Sequence, residues 1–131
     1  MSSRGPADTR SLAGARILIV EDDILVSMLV ESALADLGCV TLGPVCSVAD
    51  AVALARTECL SAALLDVNLA GESVYPVADA LERRGIPFVF VTGYSRSELP
   101  PPYDGAPALE KPFDEAMLIE AIRSLTRVDA G

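Results

Sequence analysis

Three short apolar runs in this chain each stop on a polar group, and a fourth leads into a lysine. Ile17-Leu18-Ile19-Val20, preceded by Arg16, stops at Glu21-Asp22-Asp23. Ala62-Ala63-Leu64-Leu65 stops at Asp66, Phe88-Val89-Phe90-Val91 stops at Thr92, and Ala108-Leu109-Glu110 precedes Lys111. The runs lack polar alternation, so any strands they form need cover on both faces. Stretches with helical spacing lie between them. Short continuous apolar strands alternating with helices specify an open parallel sheet with helices on both sides. In such a sheet the carboxyl ends of the strands share one edge, and ligands bind there where the strand order reverses. The acidic cluster, the lone Asp, the hydroxyl and the lysine are therefore expected to meet at one site.

The connecting segments fit this alternation. Val26, Leu29, Val30, Ala33 and Leu37 recur at i, i+3, i+4, i+7 and i+11, which predicts a helix with Ser27 and Glu31 on its outer face, stopped by Gly38. Cys39 to Leu42 predicts a short strand closed by Gly43-Pro44. Ser47 then caps a second helix with Val48, Ala51, Val52 and Ala55 inward. Val74, Val77, Ala78 and Leu81 predict a third helix ended by Gly85. Met117, Leu118, Ala121, Ile122 and Leu125 predict the last, started at Asp114, with Glu120 and Arg123 facing water. Another helix is due between Thr92 and Ala108, but Pro100, Pro101 and Pro102 cannot sit inside one. A loop with at most one helical turn is expected there.

A length of 131 residues suits one domain with a real core. Residues 1–15 are rich in Ser, Gly, Arg and Pro and aperiodic, so a flexible leader is expected, with the domain at 16–128. The net charge of −9 argues against nucleic-acid binding and suits a cation-binding cleft. The apolar stretches fall far short of the roughly 20 residues of a membrane helix, and the first residues hold no signal-peptide core. Cys39, Cys46 and Cys59 form no CxxC pair and there is no His, so they are read as small buried or half-buried thiols of a reducing cytoplasm.

Taken together, Ile17-Leu18-Ile19-Val20-Glu21-Asp22-Asp23, Leu64-Leu65-Asp66-Val67-Asn68-Leu69, Val91-Thr92-Gly93 and Glu110-Lys111-Pro112-Phe113 resemble the receiver domain of two-component response regulators. The resemblance covers nearly all of Arg16 to Leu125. Pro87-Phe88-Val89-Phe90-Val91-Thr92-Gly93-Tyr94 is also similar to the FATGUY subgroup of single-domain receivers, whose fourth-helix region is atypical. The resemblance implies a flavodoxin-like (βα)5 doubly wound sheet of strand order 2-1-3-4-5. It implies a phosphoacceptor at Asp66, phosphorylated by a sensor histidine kinase or a histidine phosphotransfer protein. It implies an Mg2+ site at Glu21, Asp22, Asp66 and the Asn68 backbone carbonyl, with Thr92 and Lys111 as conserved hydroxyl and lysine and a cis Lys111-Pro112 bond. Asp23 falls outside the acidic pair and is expected to start the first helix.

The chemistry accounts for these residue types. A carboxylate attacking a phosphoryl group meets charge repulsion, so catalysis is mostly positioning and cations. Mg2+ takes one or two carboxylates and fills its octahedron with waters and phosphate oxygens. Lys111 supplies a compact charge for Asp66 and then for the phosphoryl group. Thr92 can donate a hydrogen bond to that group, and Gly93 leaves the approach open. Singly, each motif reads as a solvated turn, a capping Asp or a surface lysine; it is their order that points to a site.

Besides the curtailed fourth helix, the chain departs from typical receivers at the switch aromatic. Ala108 stands three residues before Lys111, where receivers carry a switch aromatic. Tyr94 is the candidate replacement and partner contact. Met1 and the leader favour a stand-alone receiver whose output is protein binding or phosphoryl relay. The alternatives are a receiver portion of a longer hybrid kinase or regulator, and a phosphorylation-independent binding module. A haloacid-dehalogenase-type phosphatase needs a second Asp two residues after the nucleophile, where this chain has Asn68. P-loop and Rossmann glycine patterns are absent.

Overall fold

Parity along the strands organises the core. The computed structural model describes residues 12–93 and 99–130, with backbone alone for 127–130. Strands β1 (Arg16–Val20), β3 (Ala62–Asp66) and β6 (Phe88–Thr92) are almost wholly buried. Ile17, Ile19, Ala62, Leu64, Val89 and Val91 join one apolar cluster with residues of helices α1 (Ile24–Asp36) and α4 (Glu115–Ala130). Leu18, Val20, Ala63, Leu65, Phe88 and Phe90 join the other, with α2 (Val48–Thr57) and α3 (Tyr75–Arg83). Successive strand side chains leave opposite faces, so unbroken apolar runs are what two-sided cover demands. Fully burying one such side chain is worth about 1.5–3 kcal/mol. A half-exposed ion pair such as Arg16–Glu58, at 2.9 Å, contributes about 0–1 kcal/mol. The two clusters, not surface charges, hold the sheet.

The sheet is parallel throughout, in the order β2-β1-β3-β6-β7, where β2 is Val40–Val45 and β7 is Ala108–Glu110. This is the expected flavodoxin-like order. The numbering differs because a small hairpin, β4 (Asn68–Leu69) and β5 (Glu72–Ser73), follows β3. Strand order reverses between β1 and β3, so Glu21 and Asp66 leave the sheet side by side.

Helix ends follow the sequence. The Asp23 carboxylate caps α1 by accepting from the Leu25 and Val26 N–H groups, Ser47 caps α2 through the Asp50 N–H, and Asp114 accepts from the Met117 N–H. Each satisfies a donor the first turn leaves free. The Lys111-Pro112 bond is cis, as the resemblance implies.

Several expectations need correction. Ser27 is buried in α1 rather than on its outer face, its hydroxyl donating to the Ile24 carbonyl at 3.0 Å. Leu34, not singled out by the spacing, is fully buried. Met117 is 48% exposed instead of inward, and Arg123 is half-buried. Strand β2 runs through Gly43-Pro44 to Val45, because an edge strand with a register shift tolerates proline. A Cβ at Gly43 would stand 2.5 Å from the Ile19 carbonyl oxygen, so only glycine lets β2 approach β1 there. Packing also begins before Arg16. Leu12 is buried, and the Gly14 N–H donates to the Gly38 carbonyl. The rest of the expected leader, 1–11, lies outside the described residues. Cys46 and Cys59 are exposed, and only Cys39 is half-buried.

The proline-rich connection is anchored rather than loose where it is described. Residues 99–107 form turns without a helix. Leu99 and Tyr103 are buried, and the Tyr103 ring stacks on Tyr75 at 5.3 Å and meets Phe90 edge-on at 5.5 Å. Among the described residues, no helix is long and apolar enough to cross a membrane.

Candidate functional site

Three carboxylates meet where β1 and β3 end. One oxygen each from Glu21, Asp22 and Asp66 lies within 4.8 Å of the others. Glu21 follows the last residue of β1 and is 1% exposed, while Asp22 is exposed and Asp66 closes β3 almost fully buried. Lys111 enters from the end of β7. Its ammonium lies 3.4 Å from Asp66 Oδ2 and 3.5 Å from Glu21 Oε2. Thr92, the last residue of β6, is buried, and its carbonyl accepts from the Lys111 N–H at 2.8 Å. Strand pairing therefore carries Lys111 to the cluster.

Backbone donors fix the carboxylates. The Asp23 N–H donates to Glu21 Oε2 at 2.9 Å, the Asn68 N–H to Asp66 Oδ1 at 3.2 Å, and the Ala70 N–H to Asp22 Oδ2 at 2.8 Å. Glu21 Oε1 is buried without a hydrogen-bond partner among the described residues. Burial pushes the Glu21 carboxyl up to about 7. The neighbouring Asp66 adds to the push, while the Asp23 N–H and the Lys111 charge oppose it. Partial burial pulls the Lys111 ammonium down, but the charges of Asp66 and Glu21 outweigh it and the net shift is upward.

One lysine cannot neutralise three carboxylates. The excess negative charge and the orphaned Glu21 oxygen suit a hard divalent cation, which prefers oxygen ligands. Of the sequence-derived residues, the structure gathers Glu21, Asp22, Asp66 and Lys111, and sets Asn68 and Thr92 beside them through backbone bonds. Tyr94 lies outside the described residues. The sequence reading missed the Ala70 N–H on Asp22. Its signal was Gly71, a turn former two residues after the Leu69 that ends β4.

The parallel sheet and the charged cluster at its carboxyl edge define the class of protein. The response regulator receiver domain family model matches residues 17–123, and the chain belongs to that family. The solution structure of SdrG from Sphingomonas melonis Fr1 is similar, with 42% identity over 86% of this chain and 96% of that one, at a TM-score of 0.76. The BeF3-activated conformation of SdrG, from Pseudomonas melonis Fr1, aligns at 39% identity over 90% of this chain and 99% of that one, at 0.73. The response regulator PhyR from Brucella abortus aligns at 26% identity and 0.77, over 92% of this chain but 51% of PhyR. No curated protein matches the chain.

Proposed function

We propose that Asp66 accepts a phosphoryl group from a phosphorylated histidine on a sensor histidine kinase or histidine phosphotransfer protein. The modification then switches a protein–protein contact or passes the phosphoryl group on. The observation that carries this reading is the Lys111 ammonium at Asp66, on the rim of a three-carboxylate cluster.

In this mechanism an Asp66 oxygen is the nucleophile, held by the Asn68 N–H at its other oxygen. Lys111 already faces the attacking carboxylate and follows the incoming charge onto the phosphoryl oxygens. Thr92 supplies a hydroxyl for one of those oxygens. Asp22 and Asp66 would hold Mg2+ directly, with the Asn68 carbonyl, and Glu21 would act through water. Bound there, Mg2+ supplies the positive charge that lets a carboxylate approach a phosphoryl anion. The chain modifies itself and turns over no separate substrate, apart from loss of the phosphoryl group to water.

The charge of −9 disfavours a nucleic-acid target, so the downstream partner is a protein. We assign its contact to Tyr94 and the connection that follows. Free thiols at all three cysteines fit a cytoplasmic setting. Transfer from a phosphorylated histidine kinase to wild type but not to Asp66→Asn tests the proposal.

A further inference from the structure

The hairpin after Asp66 folds back so that its tip touches the site. Its two turn residues, Ala70 and Gly71, have φ of +52° and +85°. Positive φ at both central positions belongs to the type I′ turn of tight hairpins. Ala70 is the only non-glycine residue with positive φ among the described residues, and such a conformation is uncommon for a side chain bearing a Cβ. In this conformation its N–H reaches Asp22, 48 positions earlier, at 2.8 Å.

We propose that the Ala70–Gly71 turn is a positioning device that sets Asp22, relative to Asp66, for a divalent cation. The inference rests on the receiver reading of Asp22 as a metal ligand. Asp22 is exposed, so its carboxylate has no packing to choose its rotamer. The Ala70 N–H holds one oxygen and leaves the other for the cation. At 2.8 Å the bond has the length of a strong charge-assisted one. The same hairpin grips Asp66 through the Asn68 N–H. Its own shape is fixed by the Asn68–Ser73 and Leu69–Glu72 pairing and by the Val74 N–H on the Val67 carbonyl. One rigid element thus orients two of the three carboxylates, as outer partners orient metal ligands elsewhere.

Gly71 offers a clean handle. A Cβ there meets nothing within 4 Å, so a substitution acts through backbone angle alone. Calorimetric titration of the unphosphorylated chain with Mg2+ should show Gly71→Val binding about tenfold more weakly than wild type. Gly71→Asn, whose side chain tolerates positive φ, should bind nearly as wild type does. Amide exchange at Ala70 should be slow in wild type and faster in Asp22→Ala, a readout independent of metal and of phosphorylation. Wild-type Mg2+ affinity in Gly71→Val overturns the proposal. So does equal weakening by Asn and Val, or Ala70 exchange indifferent to Asp22. Failure of the receiver reading looks different: wild type itself would take up no Mg2+ or no phosphoryl group.

Discussion

The Lys111 ammonium lies 3.4 Å from Asp66 Oδ2. Two parallel strands away from each other, the residues meet because β6 separates β3 from β7 and the Lys111 N–H binds the Thr92 carbonyl. The same ammonium reaches Glu21 at 3.5 Å. Lys111 therefore stands where the clustered carboxylates call for positive charge.

Lys111→Ala should tighten Mg2+ binding while weakening phosphoryl acceptance. Removing one positive charge beside the cluster should lower the Mg2+ dissociation constant about tenfold. The metal-free protein should stay folded but lose about 1–2 kcal/mol, since two carboxylates lose a part-buried partner. Calorimetry and thermal melts check both. Unchanged Mg2+ affinity would mean that Lys111 and the cation do not share this site.

Asp22→Ala should abolish Mg2+ binding and, with it, phosphotransfer. Asp22 is exposed and makes no core contact, so the variant's stability should stay within about 1 kcal/mol of wild type. Intact metal uptake and transfer in this variant would remove Asp22 from the site.

Much of this site was legible in the sequence because it hangs on strand ends. Apolar runs fixed where β1, β3 and β6 stop, so Glu21, Asp66 and Thr92 followed. Capping chemistry placed Asp23, Ser47 and Asp114. What was not legible depended on tertiary neighbours. Helix α1 is apolar on most sides, with Ile24 and Leu25 exposed at 69% and 76%, so periodicity alone could not prefer Ser27 and Leu34 as inward. Gly43-Pro44 reads as a break, yet here glycine serves a close strand approach. The Tyr103 ring is buried against Tyr75 from a segment whose prolines suggested only a loop. The Asp22–Ala70 bond joins a carboxylate to a backbone group; Gly71 signals the turn, but no side-chain pattern names Asp22 as its partner.

Phosphorylation should reorganise the stretch from Thr92 to Gly105 more than any other. In the proposed mechanism the phosphoryl group offers Thr92 a contact present in one state only, the difference a population shift requires. Ala108 offers no ring to couple that change to the fold, so the connection after Thr92 carries it, with Leu99 and Tyr103 as its buried anchors. Amide exchange with and without beryllofluoride should change across this stretch, and Tyr94→Ala should weaken partner binding while leaving Asp66 phosphorylation intact. Changes confined to α4 would contradict this route.

Phosphotransfer tests the central claim most directly. A phosphorylated histidine kinase, mixed with the chain and Mg2+, should label wild type with a phosphoryl group labile to both acid and alkali, as an acyl phosphate requires. Asp66→Asn should take up none while keeping its fold by circular dichroism, and chelating the metal should block transfer to wild type. Label retained in Asp66→Asn, or a label that survives alkali, would contradict Asp66 as the acceptor.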